Sequence, residues 1–298
     1  MTDLVVRAPR RPLAGESLIG TDFGIFVGGK GNNQAIAAAR CGAEVAIVGR
    51  VGDDIFAQPI FDTLAENGID SAYVTRDPDA GTGTAMIVVE PTGQNSIIVT
   101  PRANLRLMPH DLEAARAAFQ GAVIVLAQLE VPIPTVLAGA RLAREAGARF
   151  LFNPAPAPGE TLPEELLRLT SIIAPNEVEA AQLTGIPTDD QAGAERAARA
   201  LLERGVQDVI LTLGARGALW VNHSHSELIP AIPVQQVDAT AAGDAFCGAL
   251  AAALALGQPM SAAVRWASAA GALAVTRMGA SPSLPTRAEV EGLLARSS

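Results

Sequence analysis

The spacing of apolar and polar positions changes character about one third of the way along the chain. From about residue 110, short runs that are apolar on both faces recur at Val123–Ala127, Arg149–Phe152, Ser171–Ala174 and Val209–Thr212, each leading into a helical stretch. Strands of this kind, separated by helices, predict a parallel sheet covered on both sides. Helices at about 242–256, 260–275 and 286–296 close the chain. Before residue 105 the pattern is mixed. Leu4 to Val27 is irregular with short β-like pieces, a helix runs from Asn33 to Arg40 and stops at Gly42, and Val45 to Val48 reads as a strand. Ile55 to Glu66 reads as a helix closed by Asn67-Gly68. Residues 69–75, Thr84–Val89 and Ser96–Thr100 read as strands, the last two forming a hairpin through Pro91-Thr92-Gly93. The expectation is one α/β domain over residues 1–298, with a doubly wound, mostly parallel sheet sandwiched by helices. Strands from about 4–27 and 82–101 add a second, smaller β element. In such sheets ligands sit beyond the carboxyl ends of the strands, so polar clusters just after the apolar runs carry the interest.

Composition narrows the classes. The 298 residues are 49% hydrophobic but only 4% aromatic, so the core is built from Ala, Val, Leu and Ile. A net charge of −9 without a Lys/Arg cluster leaves no footprint for nucleic acid. The N-terminus has no basic stretch followed by an apolar region, and Ala245 to Leu256 is too short to span a bilayer, so no secretory signal and no membrane partner are expected. Cys41 and Cys247 lack metal or redox spacing and read as reduced core thiols, which points to the cytoplasm. With three histidines and no G-x-S-x-G or C-x-x-C, serine-hydrolase and redox chemistries lack parts. His223-Ser224-His225 has no third ligand nearby and reads as a hairpin turn rather than a zinc site.

The segment with most chemistry is Asp238-Ala239-Thr240-Ala241-Ala242-Gly243-Asp244, before an Ala-rich helix. Small residues at a helix start leave several N–H groups open, and with the helix dipole they make an anion site. Asp244 in the first turn can take a proton from a hydroxyl beside that anion; alone it would be an ordinary first-turn acid. Gly28-Gly29-Lys30-Gly31-Asn32-Asn33-Gln34-Ala35 offers close backbone approach and amide side chains suited to vicinal hydroxyls, or simply a Gly-rich turn. It overlaps a phosphate-loop pattern but has Gly31 where that motif needs Ser or Thr, which excludes it. Pro175-Asn176-Glu177-Val178-Glu179 places Asn176 and Glu179 on one helical face, as a capping pair or a hold on hydrated Mg²⁺. Thr212 to Gly217 follows a strand and either wraps phosphates or turns into a hairpin. Glu130, in Gln128-Leu129-Glu130, and Asn153 lie at strand ends on the functional edge.

These segments, with Val275 to Ser283, resemble the ribokinase (PfkB-type) carbohydrate kinase family over nearly the whole chain. The resemblance implies ATP-dependent phosphorylation of the primary hydroxyl of D-ribose, giving ribose 5-phosphate and ADP. A nucleoside or another sugar (fructose, deoxyribose) is the alternative acceptor, and a non-catalytic binding homologue the alternative class. Asp244 would be the base, with the N–H groups of Ala241, Ala242 and Gly243 as the anion hole. Asp3, Gly28, Gly29, Lys30, Asn33, Glu130 and Asp244 would bind the sugar. Asn176, Thr212, Leu213, Gly214, Ala215, Arg216, Gly217, Gly243 and Ser268 would line ATP, with Asn176 and Glu179 organising hydrated Mg²⁺. A monovalent cation, expected to be K⁺, would be held by Asp238, Thr240, Ala274, Arg277, Gly279 and Ser283. The resemblance also implies that the strands of about 4–27 and 82–101 form a small β lid over the sugar, through which two copies would pair as a homodimer. One departure stands out. Family members begin with an apolar strand leading into N-x-D; here Asp3 matches the Asp, Met1 stands at the Asn position, and that strand is missing from the sequence given, through a start that is misassigned or trimmed or through real loss of the strand. A sheet without it is expected to expose edges and apolar helix faces.

Overall fold

The structure, a computed structural model, describes residues 1–91 and 94–297. Strands β1 (Thr2–Arg7) and β2 (Asp22–Val27) precede helix α1 (Lys30–Arg40). A parallel pair follows, β3 (Ala46–Gly52) and β4 (Asp70–Asp77), joined through α2 (Ala57–Glu66). Next come β5 (Thr84–Val89) and β6 (Asn95–Thr100), then short helices α3 (Pro109–Ala114) and α4 (Arg116–Phe119). The alternating part runs β7 (Ile124–Ala127), α5 (Ile133–Glu145), β8 (Arg149–Phe152), α6 (Glu164–Leu169), β9 (Ile172–Ile173), α7 (Glu177–Thr184), α8 (Gln191–Glu203) and β10 (Asp208–Thr212). The hairpin β11 (Ala218–Asn222) and β12 (Ser226–Ile229) leads to α9 (Ala242–Ala255), α10 (Met260–Ala274) and α11 (Arg287–Arg296).

The main sheet has the order β12-β11-β10-β9-β8-β7, parallel from β7 to β10 and antiparallel beyond. Its central strands are buried on both faces, which is why they read as continuous apolar runs. Leu151, Ile172 and Ile210 face the layer of α1, α9 and α10. Their neighbours Phe150, Phe152, Ile173, Val209 and Leu211 face α5, α6 and α8. Each such side chain contributes about 1.5–3 kcal/mol of burial. The Ala-rich composition matters most between α1 and α9. A Cβ added at Gly248 would stand 2.4 Å from the Gln34 carbonyl, so only a glycine lets these helices approach so closely. That approach brings the polar start of α1 beside the start of α9.

The lid is the four-stranded sheet β2-β1-β5-β6. Ile25, Leu4, Met86 and Ile98 stand directly opposite one another across it, and Ile25, Met86 and Ile98 are exposed. Asp3, one residue out of phase with that row, belongs to the other face.

Three expectations change. The run Val209–Thr212 leads into the β11–β12 hairpin rather than a helix, because Gly214 and Gly217 take positive φ (54° and 105°) and turn the chain back. Helix α1 begins at Lys30, three residues earlier than Asn33, because the Glu130 carboxylate accepts the Lys30 N–H at 2.8 Å and satisfies one of the helix's free donors. Thr92 and Gly93 of the expected lid turn lie outside the described residues. Open sheet edges of the kind expected are present among the described residues. Strands β3 and β7 are both sheet edges, and a cavity of about 870 Å³ lies between them, walled by both strands and by α1 and α9. No described helix is long and apolar enough to cross a membrane.

Candidate active site

At the carboxyl end of the main sheet, the starts of α1 and α9 converge on a cavity of about 220 Å³ lined by Lys30, Asn176, Glu179, Thr212, Gly243 and Asp244, among others. Asp244 is buried, and both its oxygens are engaged. Asn33 donates through Nδ2 to Oδ2 at 3.0 Å, and Gln34 donates through Nε2 to Oδ1 at 2.9 Å. Beside it, Ala241 is the N-cap of α9 with a left-handed backbone (φ 59°), a turn that brings the first helical N–H groups round to the cavity. A Cβ at Gly243 would meet nothing within 4 Å, so the space over the helix start is open. An open helix N-terminus attracts an anion, and a carboxylate fixed beside it accepts a proton from a neighbouring hydroxyl.

On the lid side, the Asp3 carboxylate lies directly against the Gly28 backbone. A Cβ at Gly28 would fall 2.1 Å from its Oδ2. Burial pushes the Asp3 carboxyl up to about 6, and Glu130 and Asp244 act in the same direction. Glu130 is also raised by burial, against the Lys30 N–H bond. Three carboxylates and one lysine thus share a partly dry region, a donor and acceptor set suited to a polyhydroxylated ligand.

On the other side, Asn176 and Glu179 form a reciprocal cap. The Glu179 N–H donates to Asn176 Oδ1 and the Asn176 N–H to Glu179 Oε2, both at 2.8 Å. Burial raises Glu179, while Lys30 opposes that shift. A parallel bridge joins Asn176 to Thr212.

Residues 1–287 match the profile described as pfkB family carbohydrate kinase. The chain belongs to that family. It is 38% identical to a ribokinase from Haemophilus influenzae, over 96% of this chain and 93% of the relative. It is 42% identical to a bifunctional ribokinase/ribose-5-phosphate isomerase A from Fructilactobacillus sanfranciscensis, of which the chain spans 53%. The structure of an Arabidopsis thaliana ribokinase complexed with ribose and ATP superposes with a TM-score of 0.90 at 33% identity, covering 98% of this chain and 95% of that one.

In this carbohydrate kinase, not every residue anticipated for the site is free to serve. The Ala242 N–H, expected in the anion hole, makes a turn bond to the Ala239 carbonyl at 3.3 Å, because the left-handed residue at 241 closes a tight turn there. Arg216, expected on the nucleotide, is instead paired with Glu177 and donates to the Thr188 carbonyl at 2.9 Å. Leu213 is buried, whereas Gly214 and Ala215 are exposed beyond β10 and Gly217 is half-buried where the chain reverses. The Ser268 hydroxyl on α10 is buried without a hydrogen-bond partner among the described residues.

Asp238 gathers its loop. Oδ1 accepts the Thr240 N–H at 2.9 Å and the Thr240 hydroxyl, and Oδ2 accepts the Gly279 N–H at 2.9 Å. These bonds hold its carboxyl below the usual range, against a burial that would raise it. Ser283 is turned away, donating to the Ala280 carbonyl at 2.8 Å, and the Ala274 carbonyl accepts the Arg277 N–H at 3.2 Å. Two residues were missed as site members: Gln34, and Ser281, whose hydroxyl lies 3.1 Å from Asn33 Oδ1. The available signal was an amide pair, Asn33-Gln34, opening a helix that is otherwise Ala-rich and buried.

Proposed function

We propose that this kinase transfers the γ-phosphoryl group of ATP to the primary hydroxyl of D-ribose, giving ribose 5-phosphate and ADP. One observation carries the reading: a buried carboxylate, Asp244, held on both oxygens by amides and set beside the open start of α9. Asp244 takes the proton of the attacking hydroxyl. The N–H groups at the start of α9, Gly243 foremost, stabilise charge on the phosphoryl group in flight. Asp3, Glu130, Asn33 and Lys30 hold the sugar hydroxyls, where Gly28 and Gly29 allow a close approach. Similarity to proteins named ribokinase favours ribose over the other acceptors.

The residues fit a hydrated Mg²⁺ arriving with ATP rather than a protein-held ion. The Asn176–Glu179 cap uses one oxygen of each side chain and leaves Glu179 Oε1 free, and no cluster of three acidic, His or Cys ligands exists among the described residues. Asn176 and Glu179 would orient that ion's water shell, and the metal would supply charge neutralisation on the phosphates. A monovalent cation fits less completely, because both Asp238 oxygens already accept hydrogen bonds and Ser283 faces Ala280; Asp238, Thr240 and the Gly279 backbone would hold it. The apolar row on the lid supports pairing with a second copy of the chain.

The test is Asp244→Asn assayed by coupled ADP release with ribose, deoxyribose, fructose and adenosine. Turnover should fall by roughly 10²–10⁴-fold while ATP still binds. Wild-type turnover in this variant removes Asp244 from the role of base. A higher kcat/KM with another acceptor in the unmodified enzyme reassigns the substrate.

A further inference from the structure

We propose that Gln34 is a positioning residue for Asp244, fixed in its own orientation by a buried chain of amides that starts at a backbone carbonyl. The proposal rests on the reading of Asp244 as the base.

The polarity of the chain follows from its first member. The Ala174 carbonyl can only accept, and it accepts the Asn153 side-chain N–H at 2.8 Å. Asn153 therefore turns its Oδ1 toward Gln34, whose Nε2 lies 3.0 Å away. Gln34 is fully buried, and its Oε1 accepts from the Nε2 of Gln128 at the end of β7. Both acceptor ends therefore agree on one orientation of the Gln34 amide. Its two N–H groups go to Asn153 and to Asp244 Oδ1. Asn33 holds the second carboxylate oxygen. The result is a carboxylate presented only as an acceptor and unable to rotate without stranding a buried N–H.

The chain also ties three separate elements to one atom pair. Gln34 rides on α1, Asn153 follows β8 and Gln128 follows β7. Asp244 sits on α9, in the contact that Gly248 keeps close. A displacement of about 1 Å at a reacting group costs roughly 10²-fold in rate, so this network has a large effect to exert without touching substrate.

The experiment is a double-mutant cycle on kcat, using Gln34→Leu and Asp244→Asn, with thermal unfolding and ATP KM measured on each protein. Gln34→Leu should lower kcat by roughly 10- to 100-fold in the wild-type background. It should leave the KM for ATP within about 2-fold. In the Asp244→Asn background the same substitution should cost less than about 2-fold, because the group it orients is already gone. Equal losses in the two backgrounds overturn the proposal, since general structural damage multiplies. If Gln34→Leu does not fold, Gln128→Leu carries the cycle; it reaches Asp244 only through Gln34 Oε1. Its loss should be smaller, roughly 3- to 10-fold, and should vanish in the same background. An Asp244→Asn enzyme with full turnover sinks the assignment of the base itself, an outcome separate from the failure of the cycle.

Discussion

Replacing Gly243 by alanine separates stability from catalysis. The residue lies in the first turn of α9 with an ordinary helical backbone, and an added Cβ meets nothing within 4 Å. The folded protein therefore has room for a methyl group. Alanine gives up less chain entropy than glycine on entering a helix, a gain of up to about 0.5–1 kcal/mol. For a chain of this size that is an increase in Tm of roughly 1–4 °C. Catalysis moves the other way. The empty space is where a phosphoryl oxygen must come within about 2.7–3.1 Å of the helix N–H groups, and a methyl group there holds it off. Losing one such donor costs roughly 10²–10³-fold in kcat. The prediction is a variant at least as heat-stable as the parent and at least about 10²-fold slower, measured by scanning calorimetry and coupled ADP release on one preparation. Wild-type turnover in Gly243→Ala would mean that the transferred group does not approach this helix start, and the proposed mechanism would fail with it.

Two further outcomes test other parts of the site. Gly28→Ala places a Cβ 2.1 Å from Asp3 Oδ2, so the carboxylate must retreat by about 1 Å, and kcat/KM for the sugar should fall roughly 10²-fold while the KM for ATP holds. In an Asp3→Ala background the same change should have little effect; an equal loss there would place the damage elsewhere. Glu289 caps α11 through Thr286 and pairs with Arg277, and chiefly the Arg277 bond pushes its carboxyl down from 4.5 to about 2. A depressed carboxyl stabilises the fold fully above its unfolded value and loses that contribution as pH falls from about 4.5 toward 2. Glu289→Gln should therefore lower Tm at pH 7 by an amount that shrinks between pH 5 and 3. Because both partners are more than a third exposed, the effect is at most about 1 kcal/mol. A difference that grows on acidification would contradict the assignment.

The parts of this architecture that were legible in the sequence are those in which a local pattern has one physical outcome. Phe150 to Phe152 and Val209 to Leu211 are apolar at every position because helices cover both faces. The start of α9 was legible for a similar reason, since small residues before an Ala-rich helix leave donors uncovered whatever the tertiary context. Arg216 was not. Its neighbours in sequence look like a phosphate wrap, and only the fold brings Glu177 and the Thr188 carbonyl within its reach. The Asn176–Glu179 pair shows the same limit from the other side. A capping box and a hold on a hydrated ion need identical residues at identical spacing, and the structure shows the cap. Gln34 is the clearest case: a buried amide on an alanine helix has no meaning until Asn153, Gln128 and Asp244 arrive from three other elements.

The division between the β3–β4 pair and the main sheet bears on the site. Strands β3 and β7 stand apart, with about 870 Å³ between them. Both strands are only partly covered, unlike β8 to β10, so the burial that makes the rest of the sheet rigid is reduced at this edge. Gln128 follows β7 directly, and the Asn32 side chain at the wall of the same cavity is buried with neither its Nδ2 nor its Oδ1 paired among the described residues. One end of the amide chain at Asp244 is therefore anchored next to an edge strand that is only partly buried.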